Sequence, residues 1–122
     1  MVKIFLDTNV FIDAIHRHPE QEVLSMLESS TIFISPLSVH IYCYIYKIKV
    51  LGSHLHSQME KFELVDLNSN IYKKAISGPT NDFEDNVQLH SAVEVDCDIF
   101  LTHDKDLLKL GYFGKTKISD HV

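Results

Sequence analysis

Three short stretches of this 122-residue chain place carboxylates where they could do chemistry. Asp7 ends the apolar run Ile4-Phe5-Leu6. Asp82 and Asp85 stand in Asp82-Phe83-Glu84-Asp85, after a Gly78-Pro79 loop and ahead of a helical pattern. Asp104 follows the run Ile99-Phe100-Leu101. In an open α/β sheet the C-terminal ends of parallel strands and the starts of the following helices share one edge, where ligands sit. Three distant segments would then bring acids to one cleft. Crowded carboxylates are unfavourable unless a cation compensates. Ligands that are all oxygen select a hard divalent ion, Mg²⁺ or Mn²⁺, over zinc. Such an ion suits phosphate chemistry: it polarises a phosphoryl oxygen, activates a water and stabilises the leaving oxygen. Each acid also has a plainer reading. Asp7, Thr8 and Asn9 are all good helix caps. Acids in a first helical turn are stabilised by the helix dipole, by about 0.3–1 kcal/mol each.

The elements that must position these acids follow from local pattern. Ile4–Leu6 is short, β-favouring and unbroken, as suits a strand buried on both faces. Val10–His16 reads as a short helix broken at His18-Pro19, and residues 20–29 as another, with Val23, Leu24 and Leu27 on one face. Residues 31–34 form a second strand. Ser35-Pro36 then opens a helix by cap and first-turn proline, running to about Val50 and ended by Leu51-Gly52. It is apolar over much of its circumference, which predicts burial or an interface. Tyr42, Tyr44 and Tyr46 on this helix point to different faces, so packing is expected of them, not a stacking platform. Residues 53–61 suggest a short helix and 62–67 a half-buried strand. Asn68 caps a helix to Ile76, and a helix from the Asp82 cluster runs to Val95. Residues 98–102 form a strand, a short helix to about Leu110 follows with Asp106 as its expected cap, and 116–119 suggest a last strand. Strands alternating with helices predict one α/β domain over 1–122, a central parallel sheet of four to five strands between two helical layers.

Composition narrows the function classes. Hydrophobic content of 45% and charged content of 23% are ordinary for a globular protein. No stretch is long and apolar enough to span a bilayer, and no basic region followed by a long apolar segment marks a signal peptide. A cytoplasmic protein with no membrane contact is expected. Cys43 and Cys97 read as buried free thiols. The net charge of −6 argues against a broad basic surface gripping nucleic acid, yet leaves room for phosphates met through metal ions. The eight histidines are scattered and read mostly as surface or packing residues.

The stretches Phe5-Leu6-Asp7-Thr8-Asn9-Val10, Asp82-Phe83-Glu84-Asp85-Asn86-Val87-Gln88 and Phe100-Leu101-Thr102-His103-Asp104-Lys105-Asp106-Leu107 together resemble a PIN domain, and do so in motif order over nearly the full chain. The resemblance implies an α/β/α fold and a metal-dependent ribonuclease. Many small members are VapC-type toxins of bacterial toxin–antitoxin pairs, which commonly form homodimers and bind an antitoxin near the active site. It assigns Asp7, Asp85 and Asp104 as catalytic, metal-binding acids, with Asp82 assisting at the metal. Asn9 and Thr102 are implied as supporting residues. The family usually carries a glutamate early in the helix after the second strand. Here Ile41 takes that place, with His40 beside it, and no carboxylate occurs between Glu28 and Glu60. Some subgroups with a DFED-type stretch share this lack.

Two readings follow. The first is a Mg²⁺- or Mn²⁺-dependent endoribonuclease acting on single-stranded or loop RNA, whose unstacked backbone can reach a small cleft. The second is a degenerate PIN fold that binds partners or RNA without cutting. An aspartyl-phosphate phosphatase is disfavoured because its second aspartate would fall at Asn9. A receiver-type domain is disfavoured because the pattern around Asp66 does not match.

Overall fold

The computed structural model describes residues 1–21, 25 and 27–122. The opening apolar run is β1 (Lys3–Leu6). The other strands are β2 (Thr31–Ile34), β3 (Glu63–Leu64), β4 (Ile99–Leu101), β5 (Tyr112–Phe113) and β6 (Thr116–Ser119). They form one sheet of order β3-β2-β1-β4-β6-β5. The first five in that order are parallel, and β5 joins antiparallel to β6. All five parallel strands fall within predicted stretches, but of the half-buried strand expected at 62–67 only the two residues of β3 form, and Leu64, which the alternation would turn inward, is 53% exposed. The sixth is a two-residue hairpin arm, too short to show a period.

β1 lies in the interior of the sheet, with Phe5 beside Phe33 on β2 and Phe100 on β4. Side chains alternate across it. Ile4 and Leu6 enter a core with Phe11, Ile34, Tyr42 and Phe62 on one face. Phe5 enters a second core with Phe100, Ile71, Val87 and Leu107 on the other. Past Lys3 the strand is buried on both faces and carries no polar side chain until it ends at Asp7.

Helices cover both faces. On the Ile4 side lie α1 (Thr8–Ile12), which continues as a π-helical turn over Asp13–Arg17, then α2 (Pro36–Ile45) and α3 (Leu55–Met59). A 3-10 turn spans Pro19–Gln21. The face expected at Val23 and Leu24 lies outside the described residues, whereas Leu27 is buried in the core. On the other side lie α4 (Ser69–Ile76) and α5 (Phe83–Glu94), and α6 (Lys105–Leu110) adds Leu107 to that core.

α2 begins as predicted, with the Ser35 hydroxyl accepting from Leu37 N–H at 3.1 Å and Pro36 in the first turn. It ends five residues before Val50. Ile48 N–H returns to Cys43 O at 3.0 Å, and Lys47 adopts φ 52°. This is a Schellman ending in which lysine takes the left-handed position that glycine usually fills. Gly52 therefore marks a later turn. Tyr42 is buried edge-on against Phe11, while Tyr44 is 78% exposed, so the packing reading holds for the first and the apolar circumference is only partly covered. Both cysteines are free; Cys97 is buried as expected, whereas Cys43 is only half-buried. No helix among the described residues is long and apolar enough to cross a membrane.

Candidate functional site

Asp7 sits where β1 gives way to α1. Its N–H extends the ladder to Leu101 O at 3.0 Å, which fixes it beside the end of β4. Its side chain is the N-cap of α1, with Oδ1 accepting Thr8 N–H at 2.8 Å. The same carboxylate does a second thing that a cap does not require. Oδ2 accepts the Thr102 hydroxyl at 2.7 Å, across 95 residues of sequence. Thr102 Oγ1 in turn accepts Asp104 N–H at 3.0 Å. One fully buried hydroxyl thus joins the acid of β1 to the acid after β4.

Asp104 is exposed and caps α6, with Oδ1 accepting the N–H groups of Asp106 at 2.8 Å and Leu107 at 3.1 Å. The cap of this helix is therefore Asp104. Asp106 sits two residues later, inside the first turn of α6, 3.9 Å from Lys109 and largely exposed. The reason is geometric: the capping residue must keep an extended backbone, and the chain turns helical immediately after Asp104.

The third segment is held in place by a buried amide. Asn86 donates to Ala75 O at 2.8 Å and to Thr80 O at 2.9 Å, and its Oδ1 accepts both Thr80 N–H and the Thr80 hydroxyl. This ties the loop before α5 to α4 and sets where α5 starts. Asp82 caps α5 by accepting Asp85 N–H at 2.9 Å. Glu84 and Asp85 follow in the first turn, both half-buried.

Gln88, one turn further and fully buried, connects this segment to Asp7. Its Oε1 accepts Thr8 N–H at 2.8 Å, the same N–H that Asp7 takes, and its Nε2 donates to Glu84 Oε2 at 3.4 Å. From α2 the structure brings Ser38, whose hydroxyl lies 2.7 Å from that of Thr8. Ile41 stands one turn after it and is half-buried. His40 is exposed and stacks on Tyr44. Asn9 is exposed, and its side-chain oxygen accepts from Arg17 at 3.0 Å. That places it on the outer side of α1, engaged with a neighbour other than Asp7.

The electrostatics of this edge are one-signed. Burial, with Asp82, Asp7, Asp104 and Glu84 adding to it, pushes Asp85 up to about 7. Burial raises Asp7, against the hydrogen bonds from Thr102, Thr8 and Gln88 that favour its ionised form. Burial raises Glu84 too, with Thr8 opposing and Asp7 and Asp82 adding to the rise. Among the described residues, the charges that raise Asp85 are all carboxylates.

That field predicts how metal-free protein responds to pH. A carboxylate whose folded pKa is raised holds its proton more tightly folded than unfolded. The folded state is then favoured below the ordinary carboxylate range and loses that advantage as pH climbs to about 7. In EDTA, the melting temperature is expected to fall between pH 5 and pH 7.5, and to fall less in Asp85→Asn. A profile identical in the two proteins would contradict the field described here.

Among the described residues, no three carboxylates, histidines or cysteines already stand close enough together to hold one ion. In donor type and charge the edge fits a hard divalent cation. The donors are carboxylate oxygens, and among the described residues no positive charge offsets them at Asp85. The sequence patterns contain Glu84, Asn86 and Gln88 but give no sign of how each side chain points. A buried amide is a signal only once its partners are known.

The family model described as PIN domain matches residues 3–106. No curated protein matches the sequence. Among solved structures the chain is similar to the crystal structure of VapBC2 from Rickettsia felis bound to a DNA fragment from their promoter. The TM-score is 0.68 over 97% of this chain and 98% of that one, at 16% identity. At that identity the likeness is one of fold.

Proposed function

This chain belongs to the PIN domain family, and from that premise we propose that it is a Mg²⁺- or Mn²⁺-dependent endoribonuclease, the toxin of a toxin–antitoxin pair. The observation that carries the reading is the convergence at one sheet edge of Asp7, Asp85 and Asp104, with Asp82 beside them, in a field with no compensating cation at Asp85 among the described residues. These residues would hold the ion. When bound, a hard divalent ion would supply Lewis-acid polarisation of the phosphate and ease deprotonation of the attacking water.

The protein's own part is placement. Thr102 orients the Asp7 carboxylate and, through Asp104 N–H, sets the start of α6. Gln88 and Ser38 fix Thr8, and so the first turn of α1, against α5 and α2. The net charge of −6 repels RNA at long range, so phosphate is met locally through the ion. Single-stranded RNA is the substrate class, since only an unstacked backbone reaches an edge of this size.

The fold shared with the promoter-bound VapBC2 of Rickettsia felis supports an antitoxin partner for this chain. Tyr44, Ile45, Val50 and Leu51 leave apolar surface at and beyond the end of α2, which suits contact with that partner or with a second copy.

The test is cleavage of end-labelled single-stranded RNA with Mg²⁺, with Mn²⁺ and with EDTA. Cleavage with either ion and none in EDTA is expected. Cleavage that survives EDTA would refute metal dependence. Retention of RNA without cleavage, by folded protein loaded with metal, would instead support a non-cutting binding module.

A further inference from the structure

We propose that Glu84 is a further ligand of the divalent ion, supplying from the first turn of α5 the carboxylate that α2 does not bring. The inference rests on the metal-site reading above and concerns a residue that reading does not use.

A glutamate in a first helical turn gains from the dipole wherever it points, and open solvent is its easiest surrounding. Glu94, at the other end of the same helix, is exposed in this way. Glu84 is half-buried instead, with its carboxylate close enough to Asp7 and Asp82 to feel both charges. Gln88 holds it there, donating from Nε2 to Glu84 Oε2 at 3.4 Å. The other end of that amide accepts Thr8 N–H at 2.8 Å, the N–H that Asp7 Oδ1 also accepts at 2.8 Å. One fully buried side chain therefore couples the Glu84 carboxylate to the Asp7 carboxylate.

An acid held near Asp7 and Asp82 is unfavourable in isolation and favourable around a shared cation. On the opposite wall α2 presents only the Ser38 hydroxyl to Thr8, with aliphatic Ile41 one turn later. Oxygen donors for a hard ion must then come from β1, the β4–α6 loop and the start of α5, where Glu84 has the longest reach.

The experiment is Mn²⁺ binding followed by loss of the free-ion electron paramagnetic resonance signal, in wild type, Glu84→Gln and Glu94→Gln. Glutamine keeps the length of residue 84 and a partner for Gln88. Glu94→Gln removes the same charge from an exposed place. Glu84→Gln is expected to bind Mn²⁺ at least about tenfold more weakly than wild type, with Glu94→Gln close to wild type. The melting temperature of Glu84→Gln in EDTA should be no lower than that of wild type. Equal affinity in Glu84→Gln and wild type, or a loss no larger than in Glu94→Gln, overturns the role of Glu84 and leaves the metal site standing. A folded wild type that binds no Mn²⁺ at millimolar concentration overturns both. Should Glu84→Gln fail to fold, Glu84→Asp, one methylene shorter, is expected to show a smaller loss in the same direction. Unchanged affinity there overturns the proposal.

Discussion

Asp7→Asn is expected to lower RNA cleavage by at least about 100-fold, the upper end of what losing a group that merely supports a metal ligand costs. Asp7 is the most deeply placed acid of the edge, only 5% exposed, and both its oxygens are already oriented. Asparagine keeps the shape and can still cap α1 through Oδ1. It replaces the negative Oδ2 with an N–H donor aimed at Thr102. Thr102 Oγ1 would then face two donors, Asp104 N–H and the new amide, and its own proton would lose its acceptor. That conflict costs about 1–3 kcal/mol, against which removing a buried charge works in favour of the fold. The assay should therefore report cleavage per folded molecule, with melting temperature alongside. Asp106→Asn is the matched control, since Asp106 is exposed near Lys109 on α6. Asp7→Asn that cleaves as fast as wild type would sink the catalytic assignment.

Phe100→Ala is expected to cost about 3–5 kcal/mol of stability, out of the ~5–15 kcal/mol that holds a domain together. Phe100 is fully buried at the centre of β4 and stacks on Phe5 with ring centroids 5.5 Å apart and planes 8° from parallel. The pair crosses from β4 to β1, the two strands that deliver Asp104 and Asp7. Truncation leaves a cavity between strands that the rest of the sheet pins in place, so little collapse is available to fill it. Urea titration at a fixed pH in EDTA measures the loss. The folded fraction should also show weaker Mn²⁺ binding, because the separation of Asp7 and Asp104 depends on this strand pair. A loss below about 1 kcal/mol would show that the core closes around the gap.

Much of this architecture was legible without coordinates because its signals are local. An apolar triplet ending on Asp-Thr-Asn states both a buried strand and a helix cap, and α1 begins at Thr8 with Asp7 as its cap. Ser35-Pro36 and Asn68 likewise start helices where their chemistry places them. Alternation of strands and helices implied a parallel sheet, and a parallel sheet implied that the three acidic segments share an edge. Helix ends were less legible. α2 stops at a left-handed lysine, which no composition rule singles out, because the Ile48-to-Cys43 hydrogen bond offsets its strain.

What the sequence determined by itself was the supply of acids and the edge on which they gather. Direction was decided only by the tertiary structure. Asp104 caps α6 although Asp106 is also an aspartate, since only one of them precedes the first helical turn. Asn9 faces Arg17, on the π-helical turn that follows α1, a neighbour its own motif does not contain. Glu84 is held close enough to Asp7 to feel its charge because Gln88 is buried against Thr8, a contact between residues 80 positions apart. Residue type and spacing are properties of a segment. The direction of a polar side chain follows from which partners the fold places within about 3 Å of it, and for Asp7 and Gln88 the deciding partners, Thr102 and Thr8, lie on other segments.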